Sequence, residues 1–274
     1  MIAASEVQNQ ALLAFDTLAP GYDELFTRSM IGRAQRGAVW EVLCDVFEEG
    51  AHILELNCGT GEDALFLARH DMSVVACDGS EGMIQTARKR LQEEDPDAPI
   101  QFELLPTERL SQLHPGTLFD GALSNFSGLN CVSDLHQAAH DLASLVTPHA
   151  PVLICLSTRF CLVETLWFLS HGDFRKAFRR TPGVTHAKVS GYTVKVHYPT
   201  LREVRRSFSP WFRLRSCTGI GVAVPPSYLE AMMRKYPRLL GVLSSIDKHI
   251  SRLPFLRIMG DHMLLRFERE GRCC

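Results

Sequence analysis

The chain of 274 residues has almost no net charge, −2 from 29 basic and 31 acidic side chains. No global field therefore recruits nucleic acid or an anionic membrane. Basic residues do cluster at Arg175-Lys176 with Arg179-Arg180, and at Arg202 with Arg205-Arg206. Such runs read first as solvated helix faces. None of the nine cysteines forms a Cys-x-x-Cys pair and no zinc spacing occurs, so no metal is expected. Cys58, Cys77 and Cys155 fall at apolar strand ends, where a free thiol packs as a small hydrophobe. That usage suits a reducing cytosol. Met1 to Gln10 lack a basic start and a sustained apolar core, so no signal peptide is expected. The longest apolar run, Val152 to Leu169, is broken by Arg159 and Glu164 and is not a membrane span. A cytoplasmic protein without stable membrane insertion is the expectation. The terminal pair Cys273-Cys274 reads as coincidence rather than as a lipidation signal. There is no internal repeat and no low-complexity tract.

What is present is ordinary globular composition, 46% hydrophobic and 22% charged. The length suffices for one α/β domain with an elaboration. The informative stretch runs from Ile53 to Ala64, Ile-Leu-Glu-Leu-Asn-Cys-Gly-Thr-Gly-Glu-Asp-Ala. Ile53 to Leu56 reads as a buried strand. A small-residue loop follows, and then a helical pattern with Leu65, Leu67 and Ala68 apolar. Strand, glycine loop and helix form the first unit of an open α/β nucleotide-binding sheet. The glycines let the backbone approach a ligand without a Cβ clash, and the helix start offers unpaired N–H groups. Gly59-x-Gly61-x-x-Ala64 fits the dinucleotide pattern, with Asp78 as the downstream acid. An NAD(P)-dependent oxidoreductase is therefore one reading. Glu55, at the end of the strand, argues against it. A carboxylate gains nothing beside a pyrophosphate, whereas a sulfonium cofactor with an α-amino group would use one.

The loop resembles motif I of the class I S-adenosylmethionine (SAM) methyltransferases, Asp/Glu-x-Gly-x-Gly-x-Gly, with Asn57 in place of the first glycine. Asn57 fits there if it adopts a left-handed conformation. A second motif supports the resemblance. Ser73 to Cys77 reads as a strand ending at Asp78, placed to accept two ribose hydroxyls. Gly79-Ser80 then opens a helix with Ser80 as its N-cap. Asp78-Gly79-Ser80-x-x-Met83 resembles Asp-x-Ser-x-x-Met, in which the methionine lies against adenine. Upstream, Phe15-Asp16-x-Leu18-Ala19-x-x-Tyr22-Asp23 resembles the N-terminal lid of small-molecule members, including the ubiquinone/menaquinone C-methyltransferases, in which the tyrosine covers the cofactor. After the third strand, Ile100 to Leu105, the family's adenine-binding Asp is replaced by Pro106. Adenine contact then falls to Thr107, Glu108 or backbone.

The resemblance implies a Rossmann-like, seven-stranded, mostly parallel sheet with helices on both faces. Its parts would be a helical lid (1–50), a SAM-binding core (51–159), an inserted substrate cap after the fifth strand (160–210), and residues 211–274 completing the sheet. The implied cofactor residues are Tyr22, Arg36, Glu55, Asn57, Cys58, Gly59, Gly61, Asp78, Gly79, Met83, Thr107, Glu108 and Asn125. Arg33 is expected at the surface. Phe126, Trp167 and Tyr198 are the candidates for substrate contact. His197 and Tyr192 are weak candidates for catalysis, with His171 and His186 behind them. The activity implied is methyl transfer from SAM to a small, largely apolar acceptor by in-line displacement. A non-catalytic SAM-binding or scaffold protein is the other alternative. No Asn-Pro-Pro-Tyr motif follows the fourth strand, so a nucleobase acceptor is not expected.

The rest follows from pattern. Residues 5–50 read mainly as helix, broken at Pro20-Gly21 and continuing from about Gly32 to Glu48. Leu118 to Ser124 and Pro151 to Ser157 are the fourth and fifth strands. Between them Ser133 should cap a helix running to Val146 and stopped by Pro148. His136 and His140 on it read as solvent-facing rather than as a metal pair. Phe160 to about Arg180 has helical spacing, and Val184–Val189 with Tyr192–Tyr198 signals a hairpin. A helix over Leu201 to Phe208, a strand within Phe212 to Val224, two helices within Ser227 to Arg252 and a strand from Asp261 to Glu268 complete the reading.

Overall fold

The computed structural model describes residues 2–114 and 116–271, with side chains from Gln10 onward. Cys273-Cys274 and the side chains before Gln10 lie outside these. The chain opens with α1 (Ile2–Tyr22), a π-helical turn (Asp23–Thr27) and α2 (Met30–Val46). Then come β1 (His52–Leu56), α3 (Glu62–Ala68), β2 (Ser73–Asp78), α4 (Glu81–Glu94), β3 (Ile100–Leu104), β4 (Gly121–Ser124), α5 (Leu135–Ala143) and β5 (Pro151–Ser157). The following segment holds α6 (Leu162–Ser170), α7 (Phe174–Ala177), β6 (Val184–Val189), β7 (Tyr192–His197) and α8 (Leu201–Phe208). It leads to β8 (Phe212–Ile220), α9 (Glu230–Lys235), α10 (Pro237–Ile250) and β9 (His262–Arg269).

One seven-stranded sheet has the order β3-β2-β1-β4-β5-β9-β8, and β6-β7 form a separate two-stranded sheet. The first five strands pair in parallel, and β9 runs antiparallel to both of its neighbours. The expected architecture is the one observed. Strands β1, β4 and β5 are buried almost throughout, the pattern of a parallel sheet covered on both faces. On one face Val39 and Leu43 of α2, Leu67 of α3 and Ile84 of α4 pack against Ile53, Val74 and Leu123. On the other, Ala139 and Leu142 of α5 and Val204 and Phe208 of α8 pack against Leu54, Ile154 and Phe267. A smaller cluster joins Ile31 of α2 to Met233 of α9 and Leu240 of α10.

Some boundaries differ from the sequence expectation for physical reasons. The break expected at Pro20-Gly21 does not occur there, because α1 runs through Pro20 to Tyr22. Tertiary bonds on both sides of the proline override the local signal. Asp16 accepts from Ser80 Oγ and from the Gly82 N–H at 2.9 Å, and Asp23 accepts from Thr60 Oγ1 at 2.7 Å and pairs with Arg90. Helix α2 starts at Met30 because Ser29 caps it, accepting from the Gly32 N–H at 2.8 Å. Asp134, not Ser133, caps α5, since its carboxylate reaches the N–H groups of both His136 and Gln137. That helix ends at Ala143, well before Pro148. The helical stretch expected over 160–180 is divided by Gly172, which has φ 72°. His136 and His140 are exposed and meet the Trp211 ring edge-on.

Candidate functional site

A cavity of about 290 Å³ opens at the carboxyl ends of β1, β2 and β4. There the strand order reverses between β1 and β4, the place where open α/β sheets bind ligands. The loop after β1 forms its floor. Asn57 has φ 55°, the left-handed conformation its position demands. Its Nδ2 donates to Thr107 Oγ1 at 3.0 Å, and Ser124 Oγ donates to its Oδ1 at 3.3 Å. Gly128 makes room for it, since a Cβ there would lie 2.2 Å from Asn57 Cβ. Gly59, at φ 55°, has nothing within 4 Å of the Cβ position, so its backbone is bare toward the cavity.

The second motif supplies the adjoining wall. Asp78 accepts from the Gly59 N–H at 2.9 Å and from the Ser80 N–H at 2.8 Å, which ties the two loops together. Burial raises its pKa above the ordinary carboxylate value, and the backbone donors oppose that shift. Ser80 caps α4 as expected, accepting from the Met83 N–H at 3.1 Å. Gly79 and Met83 line the cavity beside Pro106, Thr107 and Glu108.

The third wall is charged and centres on Asp63, a residue the sequence reading passed over. Asp63 pairs with Arg36 and accepts from Trp40 Nε1 at 2.6 Å and from Asn125 Nδ2 at 3.0 Å. The Arg36 guanidinium lies 4.9 Å from the Phe126 ring centre and 5.5 Å from that of Phe26. Behind them Glu55 is 1% exposed. Burial, then the Asp63 carboxylate, raise Glu55 well above the usual carboxylate range. Glu55 Oε2 and Arg36 Nε are both buried and without a partner among the described residues. Burial likewise pushes the Tyr22 phenol, on the α1 side of the cavity, up to about 12. Phe126 and Ser127 are consecutive non-glycine residues at φ 43° and 71°, strain of the kind that collects at functional sites.

Of the cofactor candidates, Tyr22, Arg36, Asn57, Cys58, Gly59, Asp78, Gly79, Met83, Thr107, Glu108 and Asn125 converge on this cavity, and Phe126 joins them. Glu55 lies behind the wall. Gly61 does not line the cavity: at φ 78°, a Cβ would lie 2.9 Å from the Phe102 ring and 3.0 Å from Ala87. Its role in the structure is close helix–sheet packing. Arg33 is exposed, as expected. Trp167 is also outside the cavity, packed on the α2–α9–α10 cluster with His171 at 4.3 Å from its ring. Tyr198 is buried under the Arg180 guanidinium. Tyr192 and His197 do not reach the cavity, and burial, then Lys195, hold His197 below its ordinary value. His186 is exposed on β6. The one residue of 160–210 that lines the cavity is Val196 of β7. Leu12 and Phe15 of α1 close the cavity on another side. Phe15 stands in the lid motif, so its signal was present in the sequence; Leu12 had none.

Among the described residues, Cys161, Glu164 and Asp261 form the single cluster spaced to hold a metal. Arg180 already occupies its centre, pairing with Glu164 and with Asp261 at 2.8 Å. Arg179 adds a pair to Glu164 at 2.8 Å. The cluster therefore acts as an ion-pair weld between the 160–210 segment and the start of β9.

The sheet order, the glycine loop and the acid at the end of β2 are those of the class I SAM-dependent methyltransferase fold. Comparison with known proteins agrees: residues 53–149 match the family model Methyltransf_25, described as a methyltransferase domain. The chain is 28% identical over 151 residues to a demethylmenaquinone methyltransferase of Clavibacter sepedonicus, covering 55% of this chain and 59% of that one. The matched part thus spans under two thirds of the relative. In fold, the chain is similar to a SAM-dependent methyltransferase from Mesorhizobium loti, with TM-score 0.56, 20% identity, and 86% and 100% of the two chains covered. It is also similar to the [4+2]-cyclase SpnF, with TM-score 0.57, 13% identity, and 86% and 82% covered.

Proposed function

We propose that the chain binds SAM in the β1–β2–β4 cavity and transfers its methyl group to a small, largely apolar acceptor. The observation that carries this reading is the buried Nε of Arg36, a residue that lines the cavity, with Glu55 Oε2 behind it, both without a partner among the described residues. Orphaned buried polar groups are costly, and a zwitterionic amino-acid moiety offers a donor and an acceptor of matching charge. Asp78 is the acceptor for the ribose hydroxyls, and Met83, Pro106 and Thr107 bound the base. When bound, the cofactor supplies a methyl group on a sulfonium, which needs no protein nucleophile.

The chain's own task is to position and to exclude water. Phe15 and Tyr22 cover the cavity from α1, while Phe126 and Val196 present apolar surface to the acceptor side. Alignment of reacting partners is worth roughly 7–11 kcal/mol in favourable cases. The phenol of Tyr22 stays protonated at neutral pH and serves as a hydrogen-bond donor. The 160–210 segment caps the acceptor side through β7.

A second reading, SAM binding without methyl transfer, draws on one observation. Among the described residues no histidine lines the cavity, and burial drives the thiols of Cys58 and Cys131 upward, the latter to about 12. No histidine or low-pKa thiol is thus offered to the cavity as a base, which suits an acceptor that needs none or a reaction that moves no proton. Two measurements divide the readings. Calorimetry with SAM and NADH tests the cofactor: binding of NADH in preference to SAM overturns both readings. Turnover of methyl-labelled SAM against a panel of small acceptors, read by mass spectrometry, tests the transfer. Tight SAM binding with no labelled product across the panel favours the second reading.

A further inference from the structure

The near-neutral net charge hides one stretch rich in cations and poor in acids. Residues 231–258 contain six Arg or Lys and one acid, Asp247. That acid is turned inward, accepting from the N–H groups of Ala223 and Val224. On α10, Leu240 is buried while Leu239, Val242 and Ile246 are exposed. Their spacing of three and four places them on one side of the helix. The turn after the helix adds exposed Leu253, and Phe255 at 82% exposure. Around this stripe Lys235, Arg238 and Arg252 are exposed and have no ion-pair partner among the described residues. Of the other three cations, Arg234 pairs with Glu230, Lys248 pairs with Glu41 of α2, and Arg257 is half-buried. No helix among the described residues is long and apolar enough to cross a membrane.

An apolar helical stripe flanked by free cations, with its one acid turned inward, has the chemistry of an interfacial helix on anionic lipid. A protein partner of matching shape would need its own acids placed opposite three scattered cations. A bilayer supplies mobile anionic headgroups and an apolar interior together. We propose that the α10 face, from Lys235 to Phe255, docks on the surface of an anionic bilayer. The docking is superficial: the apolar side chains enter the headgroup boundary and the cations hold lipid phosphates. It stands independently of the cofactor reading, since it can be measured without SAM.

The test uses the full chain and vesicles of phosphatidylcholine, alone or with about one third phosphatidylglycerol. Co-sedimentation should be strong with the anionic vesicles and weak with the neutral ones, and should weaken as salt rises. The double variant Val242→Glu/Ile246→Glu changes exposed positions only and should lower vesicle binding at least tenfold, by the order of the apolar area lost. Arg238→Ser should lower it about fivefold. Equal sedimentation with both vesicle types, or wild-type binding by the double variant, overturns the proposal. Analytical ultracentrifugation supplies the other overturning result, a wild-type dimer that the double variant dissolves and that does not bind vesicles.

Discussion

Two of the buried arginine networks in this molecule, those of Arg180 and Arg36, differ in completeness. Arg180 sits between Glu164 and Asp261, with its Nη1 donating to the Asp261 carbonyl at 3.1 Å and Arg179 doubling the pair to Glu164. The guanidinium and carboxylate groups of Arg180, Glu164 and Asp261 all have partners, although Gln35 Oε1 and His262 Nδ1 beside Asp261 have none among the described residues, and the network lies away from the cavity. Arg36 pairs with Asp63 at the cavity wall, but its Nε and the nearby Glu55 Oε2 are left without a partner among the described residues. A satisfied network of buried charges is structural cement; an incomplete one beside a cavity is a place for a ligand. Exposed salt bridges elsewhere, such as Arg28 with Glu24, say little by comparison.

The contrast can be broken most sharply at Arg180. Arg180→Ala leaves Glu164 and Asp261 buried and uncompensated, and should cost about 3–5 kcal/mol in urea unfolding. A loss under about 1 kcal/mol would remove the structural reading of that network. Gly61→Val comes next. Overpacking against Phe102 and Ala87 costs about 1–3 kcal/mol, and the left-handed backbone adds about 1–2 kcal/mol. The variant should unfold at lower denaturant than Gly59→Ala, which meets no neighbour; the reverse order would place Gly61 in the cavity after all. Asp78→Ala should then weaken SAM binding by about 1–3 kcal/mol, measured by calorimetry on protein checked by circular dichroism. Unchanged affinity would remove Asp78 from the site.

The fourth test sharpens the comparison by pH. Burial and Asp63 raise Glu55 well above the usual range in the folded chain. A carboxyl raised on folding holds its proton longer in the folded state. Its effect on stability is nil below the unfolded value of about 4.3, and it destabilises progressively as pH climbs from there toward the raised folded value. The slope is at most about 1.4 kcal/mol per pH unit. Glu55→Gln should abolish that slope, so that wild type and variant melt together near pH 4 and the variant melts higher at pH 7. Parallel melting curves at every pH would show that Glu55 ionises freely. The smallest effect is expected at His197, which lies off the cavity. His197→Gln should leave methyl transfer within about twofold of wild type, the range of a surface substitution. A collapse of the rate would bring the β6–β7 hairpin into the chemistry.

Much of the core was legible because its signals are local. The run Ile53 to Leu56, the glycines after it, Asp78 with the Ser80 cap, and the strand at Pro151 to Ser157 each carry their reason within a few residues. Asn57 was legible too, since few residues accept the left-handed conformation that its place requires. The charged wall was not. Asp63 looks like an ordinary first-turn acid of α3, and only folding brings Arg36, Trp40 and Asn125 onto it. Trp167 shows the opposite error: an aromatic in an apolar segment suggested a pocket, while the structure gave it neighbours from α2, α9 and α10.

The sequence by itself determined the order of strands and helices and the loop chemistry at the ends of β1 and β2. Periodicity, caps and glycine positions are short-range constraints that survive without knowledge of neighbours. Only the tertiary structure decided which charges are complete and which are left open. Pairing depends on groups 27 residues apart for Arg36 with Asp63, and 81 apart for Arg180 with Asp261. At such separations the chain's path, and not its local pattern, chooses the partner.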